Sequence, residues 1–161
     1  PPMSAPLVLH DEELRQMNQA CDRLVRDANA RAVFVIDKNG QLMATGGEAD
    51  RLDSTSLASL VAGEMAATGG LAKIIGEKDF SVLFHEGVKD NLHISLVASR
   101  AILVVIFDKR SSLGLVRLRV KKVAEELTRI FDTLLQRSQM PGAKTPFTEI
   151  TDEDIDNLFA D

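Results

Sequence analysis

The fourteen residues Ala32-Val33-Phe34-Val35-Ile36-Asp37-Lys38-Asn39-Gly40-Gln41-Leu42-Met43-Ala44-Thr45 decide the fold class. Ala32 to Ile36 is apolar at every position and largely β-branched, the pattern of a central strand covered on both faces. Asp37-Lys38-Asn39-Gly40 then reverses the chain, because Asp and Asn bond their own backbone and Gly40 takes positive φ without steric cost. Gln41 to Thr45 reads as the returning strand. A sheet covered on both faces needs helices above and below it.

The flanking sequence supplies those helices. Upstream, Leu14, Met17, Cys21, Leu24, Val25 and Ala28 recur at helical spacing from Asp11 to Asn29, behind three acids that suit a helix N-terminus. Gly46 to Arg51 reads as a polar loop. A second helix is expected from Asp53-Ser54 to about Ile75, capped by those two side chains. Phe80 to Glu86, Leu92 to Leu96 and Ala101 to Phe107 read as three further strands, with Ser99-Arg100 a tight turn between the last two. Ala101 to Phe107 is apolar throughout, a second central strand. The last long helix spans about Ser112 to Arg137, with Val116, Val120, Val123, Leu127, Ile130, Phe131 and Leu134 as its buried stripe. Met140-Pro141-Gly142-Ala143 ends it. The expected order is α-β-β-α-β-β-β-α, an α+β sandwich whose five-stranded antiparallel sheet carries helices on both faces.

Composition narrows the function. The net charge of −5 is concentrated at one end: residues 148–161 hold six acids and no Lys or Arg, which leaves 18 acidic against 19 basic residues elsewhere. A near-neutral body without Trp or Tyr offers neither the electrostatic footprint nor the stacking platforms of a nucleic-acid protein. One cysteine, Cys21, cannot form an internal disulfide and points to a reducing, cytoplasmic compartment. The longest apolar run, Ala101 to Phe107, is too short to cross a bilayer, so no membrane insertion is expected. The first residues carry neither a basic region nor a hydrophobic segment, and no secretion signal is expected.

Catalytic chemistry is hard to find. His10, His85 and His93 stand alone, without partners at metal-ligand spacing. Cys21 lies on the apolar side of its helix, where a thiol serves as a small hydrophobe. Gly69-Gly70 through Gly76-Glu77-Lys78 departs from the G-x-x-x-x-G-K-[ST] spacing and punctuates a helix instead of joining strand to helix. No active site, metal or cofactor is expected.

Two features are unusual. Ala58, Ala62, Ala66 and Gly70 recur every fourth residue along the second helix, broadened by Gly63 and Ala67. Glycine inside a helix costs roughly 1 kcal/mol against alanine. The stripe is either close packing of helix on sheet or a surface that another protein approaches closely. The second feature is the terminus. After Thr145-Pro146-Phe147, Thr151-Asp152-Glu153-Asp154 can cap a short amphipathic helix with Ile155, Leu158 and Phe159 on its apolar side. It is either a solvated end or a recognition helix that orders in a partner's groove. A domain over residues 8–138, followed by a linker and acidic helix over 139–161, is the expected organisation.

Several stretches together resemble the roadblock/dynein light chain family: Cys21-Asp22-Arg23-Leu24, the Asp37 to Leu42 turn, Thr55 to Leu60, Gly69-Gly70-Leu71-Ala72-Lys73, Phe84-His85-Glu86-Gly87, Val104 to Asp108, Ser112 to Arg119, and Ile150 to Phe159. They span nearly the whole chain, in order. The terminal segment and Phe-His-Glu-Gly are the most specific of them. The resemblance implies a homodimer joined through the edge strand at Phe80, Val82 and Phe84. It implies that the paired second helices, with Ala58, Ala62, Gly63, Ala66, Ala67, Gly70 and Lys73, form a platform for a Ras-like small GTPase. Bacterial members of this kind engage one GTPase per dimer and speed GTP hydrolysis. Their C-terminal helix, here Ile155, Leu158 and Phe159, grips the GTPase away from the nucleotide pocket and favours exchange. A role in cell polarity and gliding motility, with concentration at a cell pole, is implied in the same way. Arg100, Arg110, Arg117 and Arg119 are arginine-finger candidates by residue type only, and none is expected to act as one. The competing expectations are a passive scaffold of the same fold and, more weakly, a small-ligand sensor, which would need a pocket with convergent polar groups.

Overall fold

The computed structural model describes residues 11–138. Helix α1 (Asp11–Ala28) leads into the hairpin β1 (Ala32–Asp37) and β2 (Leu42–Gly47). A 3-10 turn (Glu48–Arg51) precedes α2 (Ser54–Ile75), and β3 (Val82–Glu86), β4 (Asn91–Val97), β5 (Ala101–Phe107) and α3 (Leu113–Ser138) complete the chain. The sheet runs β2-β1-β5-β4-β3, and every neighbouring pair is antiparallel. The two all-apolar strands sit at its centre, and every residue of β5 is buried.

Helices cover both faces, which gives the expected sandwich. On one face Val33, Val35, Leu103, Val105 and Phe107 pack against Met17, Cys21 and Leu24 of α1 and Val116, Leu127 and Phe131 of α3. On the other, Phe34, Ile36, Ile94, Ile102, Val104 and Ile106 meet Ala58, Val61 and Ala62 of α2. Ion pairs from buried Glu13 to the exposed Arg137 (2.6 Å) and from Arg23 to Glu126 (2.6 Å) fasten α1 antiparallel to α3. Arg31 holds both Glu48 (2.9 Å) and Asp90 (2.6 Å), so the 3-10 turn and the β3–β4 turn are tied to the start of β1.

Local chemistry sets the element ends. Asp53 caps α2 by accepting from the Ser56 backbone N–H (3.2 Å) and hydroxyl (2.7 Å), and Gly76 closes the helix at φ 80°. In the β1–β2 turn the Asp37 carboxylate accepts from the N–H groups of Asn39 (2.8 Å) and Gln41 (2.9 Å). Gly40, at φ 89°, lies so near α2 that a Cβ there would be 3.2 Å from Ser59 Cα. The turn thereby seats the N-terminal half of α2 over the hairpin.

Three sequence expectations are corrected. Gly46 and Gly47 belong to β2, not to a loop. Gly46 is needed because a Cβ there would stand 2.7 Å from the Cys21 carbonyl carbon, and Gly47 because its φ is 68°. Residues 48–51 form a helical turn. The edge strand begins at Val82, so Phe80 precedes it, although the Ser81 carbonyl still accepts from the Leu96 N–H (2.8 Å).

Candidate functional site: the outward ridge of α2 and the sheet edge

Three of α2's buried residues, Ala58, Val61 and Ala62, pack on the sheet, and Ala72 is buried farther along the same side. Of the stripe read from the sequence, Ala58 and Ala62 are therefore packing residues within the chain and are closed to a partner. Gly63, Ala66, Ala67, Gly70 and Lys73 are exposed. The geometry explains the division. A step of four residues turns roughly 400° around a helix, so an i, i+4 row creeps about 40° per step. Over the three steps from Ala58 to Gly70 the row leaves the sheet face and reaches solvent.

A different row faces outward. Leu60, Ala67, Leu71 and Ile74 are spaced by seven, four and three residues, and they lie on the side away from the sheet. Leu60 is 74% exposed, Leu71 60% and Ile74 82%. Ile75 joins them, and Phe80, just before the edge strand, continues the exposed apolar surface. Sequence reading missed this seam because it followed the small residues of the helix and gave Leu60, Leu71 and Ile74 no face. The signal was the seven-residue interval from Leu60 through Ala67 to Ile74.

Gly63, Gly69 and Gly70 carry a second observation. A Cβ added at any of the three meets nothing within 4 Å, and none of them has the positive φ that favours glycine. No contact among the described residues requires a glycine there, while each costs helix stability.

The edge itself is β3, which pairs with β4 on one side alone in the described chain. His85 on β3 donates to the Glu64 carboxylate on α2, joining the edge strand to the middle of the helix. Phe84 turns to the other face and stacks on Phe107 with ring centroids 6.1 Å apart. Beside the middle of α2 is a cavity of about 200 Å³, lined by Ala62, Met65, Ala66, Gly69, Phe80, Leu96 and Ile102 and flanked by Lys38 and Asp79; Ala66 thus reaches both the cavity mouth and solvent.

Among the described residues, Cys21 and His93 lie away from this surface. Burial, with help from Asp22 and Glu126, pushes the Cys21 thiol up to about 12, so it stays protonated and inert. His93 is buried under α3, where desolvation and the nearby Arg117 charge hold its pKa below the ordinary value. Among the described residues no three His, Cys, Asp or Glu side chains are placed to hold a metal ion. By length and composition α2 could cross a bilayer, which the seven-residue limit on apolar runs overlooked; its Ala, Leu, Ile, Val and Met carry the hydropathy, and Ser, Thr and Gly break them into short runs. Ile155, Leu158 and Phe159 lie outside the described residues.

Residues 17–107 match the Roadblock/LC7 domain family. The chain is 58% identical to Myxococcus xanthus MglB, covering 80% of this chain and 96% of that one with a TM-score of 0.75. It is 31% identical to the gliding protein MglB of Thermus thermophilus, covering 81% of this chain and 99% of that one, also at a TM-score of 0.75. A Roadblock/LC7 domain from Streptomyces avermitilis shares the fold alone, at 14% identity and a TM-score of 0.65 over 71% of this chain and 97% of that one. No curated protein matches. With the match running from α1 through β5, the chain belongs to the Roadblock/LC7 domain family.

Proposed function

We propose that this chain is a homodimeric regulator of a Ras-like small GTPase of the MglA type, which stimulates GTP hydrolysis and has no active site, cofactor or membrane-inserted part of its own. The observation that carries the reading is the outward face of α2. A seam of Leu60, Leu71 and Ile74 left in water, beside glycines that nothing in the chain requires, is a surface shaped for close approach by other chains. The unpaired β3 edge supports a dimer in which two edges meet and the sheet continues between subunits. Fully covering a Leu or Ile is worth about 1.5–3 kcal/mol, so the seam can offset much of the cost of association. The likeness to proteins named MglB, one of them called a gliding protein, supports the GTPase and a place in motility and polarity. A cytoplasmic location, concentrated at a cell pole, goes with that reading.

The arginines favour stimulation by positioning over stimulation by an inserted charge. Arg117 and Arg119 lie on α3, across the sheet from α2. The Arg110 guanidinium is held by Asp108 (3.1 Å). Arg100 lies in the β4–β5 turn. The platform proposed for the GTPase is then Gly63, Ala66, Ala67, Gly70 and Lys73, with Ile155, Leu158 and Phe159 acting from the C-terminal segment.

The test is single-turnover GTP hydrolysis by the cognate GTPase, with the full chain and with a version ending at Met140. Stimulation by the full chain is expected, and any difference on truncation measures the share of the terminal segment. Binding without stimulation by either version would replace the activator with a scaffold.

A further inference from the structure

Away from the α2 face, the antiparallel pair α1 and α3 encloses an outward groove of about 520 Å³. Its charged side chains are Arg23, Lys122, Arg129 and Glu126, a net of +2. Arg23 is paired with Glu126. The side chains of Lys122 and Arg129 have no ion-pair or hydrogen-bond partner among the described residues. Leu118, 63% exposed, stands one helical turn before Lys122 on the same side of α3.

We propose that this groove is a resting site for the chain's own residues 148–161. That segment has six acids, no Lys or Arg, and the apolar residues Ile150, Ile155, Leu158 and Phe159. Its charge complements Lys122 and Arg129, and its apolar residues complement Leu118. It also begins close by. Thr133, at the near end of the groove, is five residues before Ser138, and Lys122, at the far end, is sixteen before it. At 1.5 Å per residue the groove therefore lies roughly 7–24 Å back along the helix. Residues 139–147 span up to about 30 Å when extended, enough to return the segment along α3. A tethered segment meets its site at an effective concentration of roughly millimolar, so individually weak surface pairs suffice to hold it. The inference does not depend on a GTPase.

A nitroxide placed by Asp161→Cys in the full chain tests it, since Cys21 is buried and protonated and stays unlabelled. Loss of amide peak intensity is expected at residues 16–23 and 118–133. The loss should shrink as salt rises from about 0.1 to about 1 M, which shortens the screening length from roughly 10 to 3 Å. It should vanish in a Lys122→Glu/Arg129→Glu variant whose unfolding midpoint is unchanged. Peak loss at α2 and β3 instead, no localised loss, or a pattern indifferent to the double variant would overturn the proposal. So would loss seen only between a spin-labelled chain and a separate isotope-labelled one, which would assign the segment to a second copy.

Discussion

Ala62→Arg and Ala66→Arg, one helical turn apart on α2, should have opposite consequences. Ala62 is 8% exposed and packs in the cluster of Phe34, Ile36 and Ile102, whereas Ala66 is exposed. Forcing a long side chain into a packed interface costs about 1–3 kcal/mol. Leaving its charge there unpaired would add several more by the usual cost of breaking a buried pair, about 3–5 kcal/mol. The cavity beside Ala62 tempers this, because a guanidinium threading through it comes near Asp79 as well as Lys38. A net loss of about 2–4 kcal/mol is therefore expected for Ala62→Arg, or roughly 5–15 °C in Tm for a chain of this size. Ala66→Arg should stay within about 0.5 kcal/mol of the parent, as exposed substitutions do. The two proteins would be unfolded in urea at equal concentration, followed by far-ultraviolet circular dichroism, and then assayed for GTPase stimulation. Ala66→Arg should fold normally and fail to stimulate. An Ala62→Arg protein as stable as the parent would refute the seating of α2, and undiminished stimulation by Ala66→Arg would refute the platform.

Acid should weaken the fold through His93, whose pKa burial and Arg117 hold below the usual value. As pH falls below about 6.5 the unfolded chain takes up a proton that the folded one refuses, so stability drops by up to about 1.4 kcal/mol per pH unit. Between pH 6.5 and 5 His93→Leu should flatten that slope in urea titrations; an unchanged slope would clear His93 of the effect. Gly63→Ala and Gly70→Ala should each make the unassembled chain more stable by about 0.5–1 kcal/mol, since the added methyl meets nothing. The same changes should weaken assembly or GTPase binding, and tighter assembly would contradict close approach at those glycines. Ala98 and Ser99 hold φ of 54° and 56° in the β4–β5 turn, a conformation Asn-Gly adopts more readily, so Ala98→Asn with Ser99→Gly should raise stability by about 1 kcal/mol. Gly46→Ala, whose methyl would strike the Cys21 backbone, should cost about 1–3 kcal/mol, read as a lower unfolding midpoint.

The elements were legible where one local signal dominated. The unbroken apolar runs of β1 and β5 placed both at the sheet's centre, and the Asp37–Gly40 turn fixed the first hairpin. Asp53 and the α3 stripe located two helices to within a residue or so. Where partners distant in sequence decide the structure, local reading failed. Gly46 looks like a loop residue until α1 is packed against it, and nothing near it in sequence announces that approach. The α2 stripe failed for a geometric reason. Residues at i, i+4 share a face over one step but not over three, so a row called one surface was half core and half solvent. The α1–α3 groove was invisible because the paired Arg23 and Glu126 lie 103 residues apart.

The two faces of the sheet are covered unequally, and that asymmetry gives the proposed dimer its physical reason. Five strands at about 4.8 Å spacing make a sheet some 19 Å across, while one helix with its side chains is about 10–12 Å wide. On one face α1 and α3 together cover the central strands, whose Val33, Val35, Leu103 and Val105 are fully buried. On the other, α2 works alone. Its contact residues are mostly alanines, which lets it sit close but gives it little lateral reach. The consequence appears where α2 runs out: Leu83 and Leu92 are only partly buried, and Phe80 is exposed. A third helix of the same chain would repair this, but after β3 every remaining described element is committed to the sheet or to the opposite face. In the proposed dimer a second copy placed edge to edge at β3 would supply the missing cover symmetrically. It would bring its own α2 beside the first and satisfy the open backbone of the edge in the same step. In that arrangement the glycines of α2 set how closely the two helices and a third protein can approach, which is why their replacement by alanine should separate fold stability from assembly.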